Sequence, residues 1–325
     1  MSTRSTNSAH SAHSGHRARR TPRRKTLAWL SGLAVVAAAA VIPFTASGAE
    51  GGSDYVALGD SYSAGTGADP YLSNDATIPP VDTLTVNAPP ASVNHNNNCQ
   101  RSDKAYSALL AKEDGDSDGF IGSYTFAACA GAVSQDVRDR QLTVLNDQTD
   151  VVTLTIGGND VKFARAMELC VALPDITGAC QIALNDSLSI MENDLQPRLE
   201  ATYNEILNAA PNLRNLVVIG YPELFDLDGT CTVLEDVFNP SRLVRSEMNR
   251  AAAQLNQVIK NAVSAVGGTK LRFLNPQPAY ADHEICSTES FLTEPVDTPA
   301  IGDSYHPNAK GHAELKKLVL RVLRS

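Results

Sequence analysis

The feature that most constrains the fold of this chain is an alternation between short β-branched apolar runs and long stretches of helical period. Residues 55–58, 124–127, 151–156 and 216–219 are short, apolar and often β-branched, and most of them run into Gly, Asp or Cys. Segments of this kind read as parallel strands buried on both faces. A fifth run, residues 271–274, carries a weaker form of the same pattern. Between the runs, residues 103–112, 161–171, 182–210, 242–266 and 309–323 place apolar side chains at three- and four-residue spacing, as one-faced helices do. The alternation predicts a three-layer α/β/α fold around a central, mostly parallel five-stranded sheet. Neither a repeat nor a linker interrupts it, so residues 50–325 are expected to form a single domain with one core. Residues 69–98, rich in proline and asparagine and without a period, read as a long loop at the exit of the first strand, placed to border a binding site.

The first 49 residues stand apart. Arg4, Arg17, Arg19, Arg20, Arg23, Arg24 and Lys25 precede an apolar run over residues 27–44, and small residues follow at 45–49. That order predicts a secretory signal peptide cleaved between residues 46 and 50, and hence an extracellular protein. A retained anchor is the alternative, since the run nearly spans a bilayer; Pro43 and the small residues behind it favour cleavage. Arg23-Arg24 leaves twin-arginine export open. The net charge of −9 understates the acidity of the exported part: residues 1–50 hold seven of the 27 basic residues and one of the 36 acidic ones. Twenty basic against 35 acidic residues remain. Such a surface repels phosphate backbones, so nucleic acid is excluded as a partner, and adsorption driven by anionic lipid headgroups is disfavoured.

All six cysteines, Cys99, Cys129, Cys170, Cys180, Cys231 and Cys286, lie after residue 50. Outside the cytoplasm an even number implies three disulfides, and sequence alone allows about 15 pairings. No C-x-x-C pair is present and no histidine stands at ligand spacing beside a cysteine, so neither a metal nor any other cofactor is expected.

Four local signals fall where strands end or helices begin, which is where open parallel sheets bind ligands. In Gly59-Asp60-Ser61-Tyr62, Gly59 permits a sharp turn and Ser61 is left at the sheet edge as a candidate nucleophile; a turn with a capping serine is the plainer reading. In Asp303-Ser304-Tyr305-His306, the carboxylate and imidazole are three residues apart, so Asp303 can orient His306 as a general base, with Pro307 in the first turn of the next helix. A helix cap beside a solvated histidine is the competing reading. Gly157-Gly158-Asn159-Asp160 follows a strand and offers the Asn159 amide as an oxyanion donor, or is an ordinary turn. Cys129-Ala130-Gly131-Ala132 offers the Gly131 amide for the same purpose and carries little weight alone.

Together these blocks resemble the SGNH hydrolases, the GDSL family of esterases and lipases, named for Ser, Gly, Asn and His in four separated segments. Here those are Ser61, Gly131, Asn159 and His306, in order. The resemblance implies a flavodoxin-like SGNH hydrolase fold, a Ser61–His306–Asp303 triad, and oxyanion donors from the Ser61 and Gly131 amides and the Asn159 side chain. Cys99-Gln100-Arg101-Ser102 and the six-cysteine pattern are more closely similar to the secreted actinobacterial branch. That branch implies the pairings Cys99–Cys129, Cys170–Cys180 and Cys231–Cys286. Tyr62 departs from the leucine usual after Gly-Asp-Ser, a change expected to reshape packing or the pocket wall. In part of the branch a backbone carbonyl replaces the triad acid; Asp303 favours the full triad here.

Asp60 cannot take the proton of its neighbour in good geometry and is expected to shape the loop. Asp160 is expected at a helix start, His283 in a loop and His312 on a solvent-facing helix surface. The function that follows is hydrolysis of a small-molecule or lipid carboxylic ester through an acyl-enzyme, with activity falling as His306 protonates below roughly pH 6–7. A phospholipase or a lipid acyltransferase would use the same site, and a catalytically silent binding module would keep the fold. A monomer making transient contact with a lipid interface is expected.

Overall fold

The computed structural model describes residues 52–72, 99–114, 121–172, 178–229, 240–294 and 302–325. The expected leader, most of the 69–98 loop and Cys231 lie outside them. The described strands are β1 (Ser53–Gly59), β2 (Ile121–Phe126), β3 (Thr149–Thr155), β4 (Asn215–Ile219) and β5 (Leu271–Leu274). Every pairing is parallel, in the order β2-β1-β3-β4-β5. The expected parallel five-stranded α/β architecture is therefore the observed one, and the weakly patterned fifth run is β5.

The helices in chain order are α1 (Ser61–Ala64), α2 (Tyr106–Asp114), α3 (Ser134–Asp136), α4 (Phe163–Ala172), α5 (Ala179–Ile190), α6 (Gln196–Ala209), α7 (Arg242–Val266), α8 (Gln277–Tyr280) and α9 (Ala309–Leu323). Right-handed crossovers send the helices between β1 and β2 to one face and those between β2 and β5 to the other, because the strand order reverses at β1. Helix α9, after β5, lies with α2. Packing of α2 on α9, and of α6 on α7, fits those two layers. In α7 the buried side chains Val244, Met248, Ala251, Ala252, Leu255, Ile259, Ala262 and Val263 recur at the spacing that predicted a helix there.

One expected helix is interrupted. Residues 182–210 form α5 and α6 joined by a wider π turn at Met191–Leu195. Pro197, in the first turn of α6, has no N–H to close an ordinary i→i−4 bond, and the wide turn absorbs the gap. Lys162 in the left-handed region (φ 57°) similarly delays α4 past the expected start at Val161.

Two disulfides are described, Cys99–Cys129 and Cys170–Cys180. The first fastens the loop after β2 to the segment before α2; the second links α4 to the start of α5. Cys286 is disulfide-bonded as well, and its expected partner Cys231 lies outside the described residues. No helix among the described residues is long and apolar enough to cross a membrane.

Candidate active site

The strand order places a switch point between β1 and β3, the position at which doubly wound sheets bind ligands beyond the strand ends. The Ser61 segment leaves β1 there, and the Gly157-Gly158-Asn159 segment leaves β3. Hydrogen bonds lace the adjoining strand exits together. Gly59 O accepts from the Cys129 N–H (2.9 Å), and Asp60 N donates to Thr155 O (3.0 Å). The Gln141 side chain spans Gly59 on both sides, accepting from its N–H (2.7 Å) and donating to its carbonyl (2.9 Å). Only glycine fits at 59: its φ is +118°, and a Cβ would stand 2.3 Å from Thr155 O.

Asp60 is the cap that presents Ser61. Its buried carboxylate accepts from the Tyr62 N–H (3.0 Å), from Thr155 Oγ1 (2.6 Å) and from the Tyr221 hydroxyl. Burial pushes this carboxyl up to about 6, against three donors that favour its charge. A group so engaged is scaffolding, as expected. Ser61 itself opens α1, so its backbone N–H points out of the helix unbonded by it.

Ser61 Oγ lies 2.8 Å from His306 Nε2, although 245 residues separate them. The other ring nitrogen, Nδ1, lies 3.0 Å from the carbonyl oxygen of Ser304. A carbonyl can only accept, so Nδ1 carries the proton and Nε2 is left to accept from the serine hydroxyl. The Asp303 carboxylate, expected as the triad acid, makes no hydrogen bond to the imidazole in this structure. Its Oδ1 accepts from the Tyr71 hydroxyl (2.5 Å) and from Gln100 Nε2 (3.3 Å). The reason is local geometry. The tight turn between the two residues, with His306 N donating to Asp303 O at 3.3 Å and Tyr305 left-handed at φ 68°, brings the Ser304 carbonyl to Nδ1. Asp303 acts on the ring through its backbone carbonyl and its charge, not through a carboxylate hydrogen bond. Burial dominates instead, pushing the His306 imidazole down to about 4.

Asn159 Nδ2 donates one proton to Ala132 O at 3.0 Å, which fixes the amide against the loop carrying Gly131 and leaves its second proton free to donate. Gly131 is exposed with φ +81°, and no described residue accepts from its N–H or from that of Ser61. Three N–H donors thus stand at three neighbouring strand exits, those of β1, β2 and β3. Buried Arg101 braces the same loop by donating to the carbonyls of Ala128 (2.8 Å) and Ala127 (3.4 Å) from beside the Cys99–Cys129 bridge.

Several neighbours of the site differ from expectation or escaped it. Pro307 precedes the α9 cap, Asn308, whose side chain accepts from Lys310 N and Gly311 N, instead of lying in the first helical turn. His312 is fully buried, not solvent-facing: its Nδ1 accepts from Tyr106 N at 3.2 Å, and burial pushes it down to about 3. Asp160 is engaged by Ser134 N (2.9 Å) and Ser134 Oγ (2.5 Å), holding the start of α3. The Gln141 clamp and the Ser304 carbonyl carry no sequence signal, the one because glutamine is common, the other because it is backbone. Among the described residues there is no group of His, Cys, Asp or Glu arranged to hold a metal.

Comparison with known proteins identifies the family. The profile of the GDSL-like Lipase/Acylhydrolase family matches residues 57–314. Lipase 1 of Streptomyces coelicolor is 33% identical over 292 residues, 89% of this chain and 94% of its own. Among solved structures, phospholipase A1 from Streptomyces albidoflavus is 35% identical, covering 84% of this chain and 98% of its own, with a TM-score of 0.67. The extracellular lipase of Streptomyces rimosus is 32% identical over the same shares, with a TM-score of 0.65.

Proposed function

The chain belongs to the GDSL-like lipase/acylhydrolase family and is a carboxylic ester hydrolase, and from that premise we propose that it is an exported enzyme hydrolysing lipid esters through an acyl-enzyme on Ser61. The observation that carries this reading is the 2.8 Å contact between Ser61 Oγ and His306 Nε2 at the exit of β1. His306 Nε2 takes the hydroxyl proton as Oγ bonds to the ester carbonyl carbon. The carbonyl oxygen becomes an oxyanion received by the Ser61 and Gly131 N–H groups and by Asn159 Nδ2. Collapse breaks the bond to the alcohol, which leaves with the proton held on Nε2. Water then repeats the sequence on the acyl-serine, with His306 again as base. The Ser304 carbonyl takes the orienting place expected of Asp303, and the pair works as a dyad.

The basic–apolar–small order of residues 1–49 and the extracellular S. rimosus relative support export, with residues 50–325 as the mature single domain. A third bridge, Cys231–Cys286, belongs to the same reading, as does a monomer touching lipid surfaces transiently. A phospholipid substrate is a second reading, favoured by the phospholipase A1 relative. Hydrolysis of p-nitrophenyl esters of graded chain length, triglyceride and phosphatidylcholine tests both. Release of fatty acid from at least one lipid is expected, and activity on none of the esters would contradict the proposal.

Two predictions follow from the geometry around His306. Asp303→Asn keeps an acceptor for Tyr71, so kcat is expected to fall by less than about tenfold, whereas loss of a true triad acid costs about 10⁴. A drop of the larger size, read by steady-state kinetics, would restore Asp303 to the triad.

The second concerns pH. The base must be neutral, and its pKa is lowered, so the acid limb of kcat/KM is expected toward pH 4 instead of 6–7. Folding has the same sign: His306 and His312 resist protonation when folded, so the unfolded state takes up more protons as pH falls below about 6.5 and stability declines. Rates taken after brief exposure to acid separate the two. An acid limb near 6.5 that persists in Asp60→Asn, which removes the other group titrating near there, would contradict the assignment.

A further inference from the structure

The dipeptides Ser61-Tyr62 and Tyr305-His306 are joined twice. One link is the contact between Ser61 Oγ and His306 Nε2. The other is the Tyr62 hydroxyl, which donates to the Tyr305 carbonyl at 2.5 Å, inside the protein. The Tyr62 ring also packs against the imidazole of His306, with centroids 5.0 Å apart and a tilt of 47°. It also meets the ring of Tyr221 edge-on at 5.0 Å. Tyr221 in turn donates to Asp60, the cap of the nucleophile helix. Tyr62 is thus wedged between the group that presents the nucleophile and the group proposed to activate it.

The segment it holds needs holding. Tyr305 is left-handed, at φ 68°, a conformation that costs energy for a residue with a Cβ. Its N–H donates to Thr293 O at 2.8 Å, its carbonyl receives Tyr62, and its ring meets that of Phe225 at 6.0 Å. Thr293 N also donates to His306 O at 2.8 Å. The imidazole is anchored by backbone carbonyls, with Ser304 O 3.0 Å from Nδ1, and by no carboxylate hydrogen bond. Release of the Tyr305 carbonyl would let this turn relax and carry Nε2 away from Ser61 Oγ. Burial raises the Tyr62 phenol above its ordinary range, so it stays protonated and remains a donor.

We propose that Tyr62 is a positioning residue for His306: its hydroxyl pins the left-handed turn before the base, and its ring fixes the imidazole plane, in the orienting capacity that no carboxylate fills. The inference rests on the Ser61–His306 reading above.

The test compares wild type with Tyr62→Phe, which removes one oxygen, and with Tyr62→Leu, which removes the ring as well. For Tyr62→Phe, kcat on a short p-nitrophenyl ester is expected to fall about tenfold, the worth of one hydrogen bond. For Tyr62→Leu the fall is about 10²-fold, as for a misaligned base. KM should stay within about twofold in both, because the substrate contacts are intact. The rate of Ser61 labelling by a fluorophosphonate should drop with kcat while every molecule is eventually labelled. Unchanged kcat in both variants, a rise in KM alone, or failure of Tyr62→Phe to fold would each overturn the proposal, the last by making the hydroxyl a requirement of the scaffold. If unaltered protein is not labelled at Ser61, it is the dyad reading that fails, and the two failures are distinguishable.

Discussion

Ser61→Ala is expected to lower turnover of an activated ester by about 10⁶-fold, the scale seen when a serine nucleophile that works with a base is removed. The size follows from the chemistry. Without Oγ there is no covalent intermediate, and His306 loses the hydroxyl it faces at 2.8 Å. The residual rate would come from the oxyanion donors acting on water, which accounts for about 10³–10⁴ over the uncatalysed reaction. Little stability should be lost. Ser61 Oγ has no described partner besides His306, and the loop is held by Asp60, Gln141 and Thr155. Steady-state rates together with a thermal melt check both halves. An active Ser61→Ala protein would move the nucleophile elsewhere; an inactive one that melted early would leave the loss attributable to folding.

Asn159→Ala is the second large effect: kcat is expected to fall by about 10²–10³-fold. The amide contributes a donor aimed at charge that appears only in the transition state, so KM should change little. Its other proton goes to Ala132 O at 3.0 Å, and losing that bond loosens the loop that carries Gly131. Asn159→Asp fills the same volume but offers an acceptor both to the oxyanion and to Ala132 O, where donors are needed. Both variants should therefore be slow. A loss of less than about tenfold in each would remove Asn159 from the oxyanion site.

The parts of this architecture that were legible in the sequence are those encoded by periodicity. α7 and α9 span the expected residues, and β1 to β5 fall on the five apolar runs. Such patterns reflect which face is buried, a property of the segment itself. Boundaries set by single residues were less visible: Pro197 splits one expected helix, and left-handed Lys162 delays another.

At the candidate site, the close pair Ser61 and His306 could be picked out because each stands in a short block at an element's end. The partner of the His306 Nδ1 was not, because it is a backbone carbonyl, and Asp303 occupied the expected spacing while its carboxylate turned to Tyr71 and Gln100. His312 shows the same limit in another form. Helical spacing put it in α9, but its burial depends on α2 packing over it and donating the Tyr106 N–H, a contact 206 residues away in sequence.

The dyad's covalent step can be read directly by treating the full-length chain with a fluorophosphonate and locating the adduct by peptide mass spectrometry. One adduct is expected, on Ser61, with hydrolysis lost in proportion to labelling. No adduct should form in Ser61→Ala, and labelling should be far slower in His306→Ala. An adduct on another serine, or full ester hydrolysis by protein whose Ser61 is completely modified, would contradict the account.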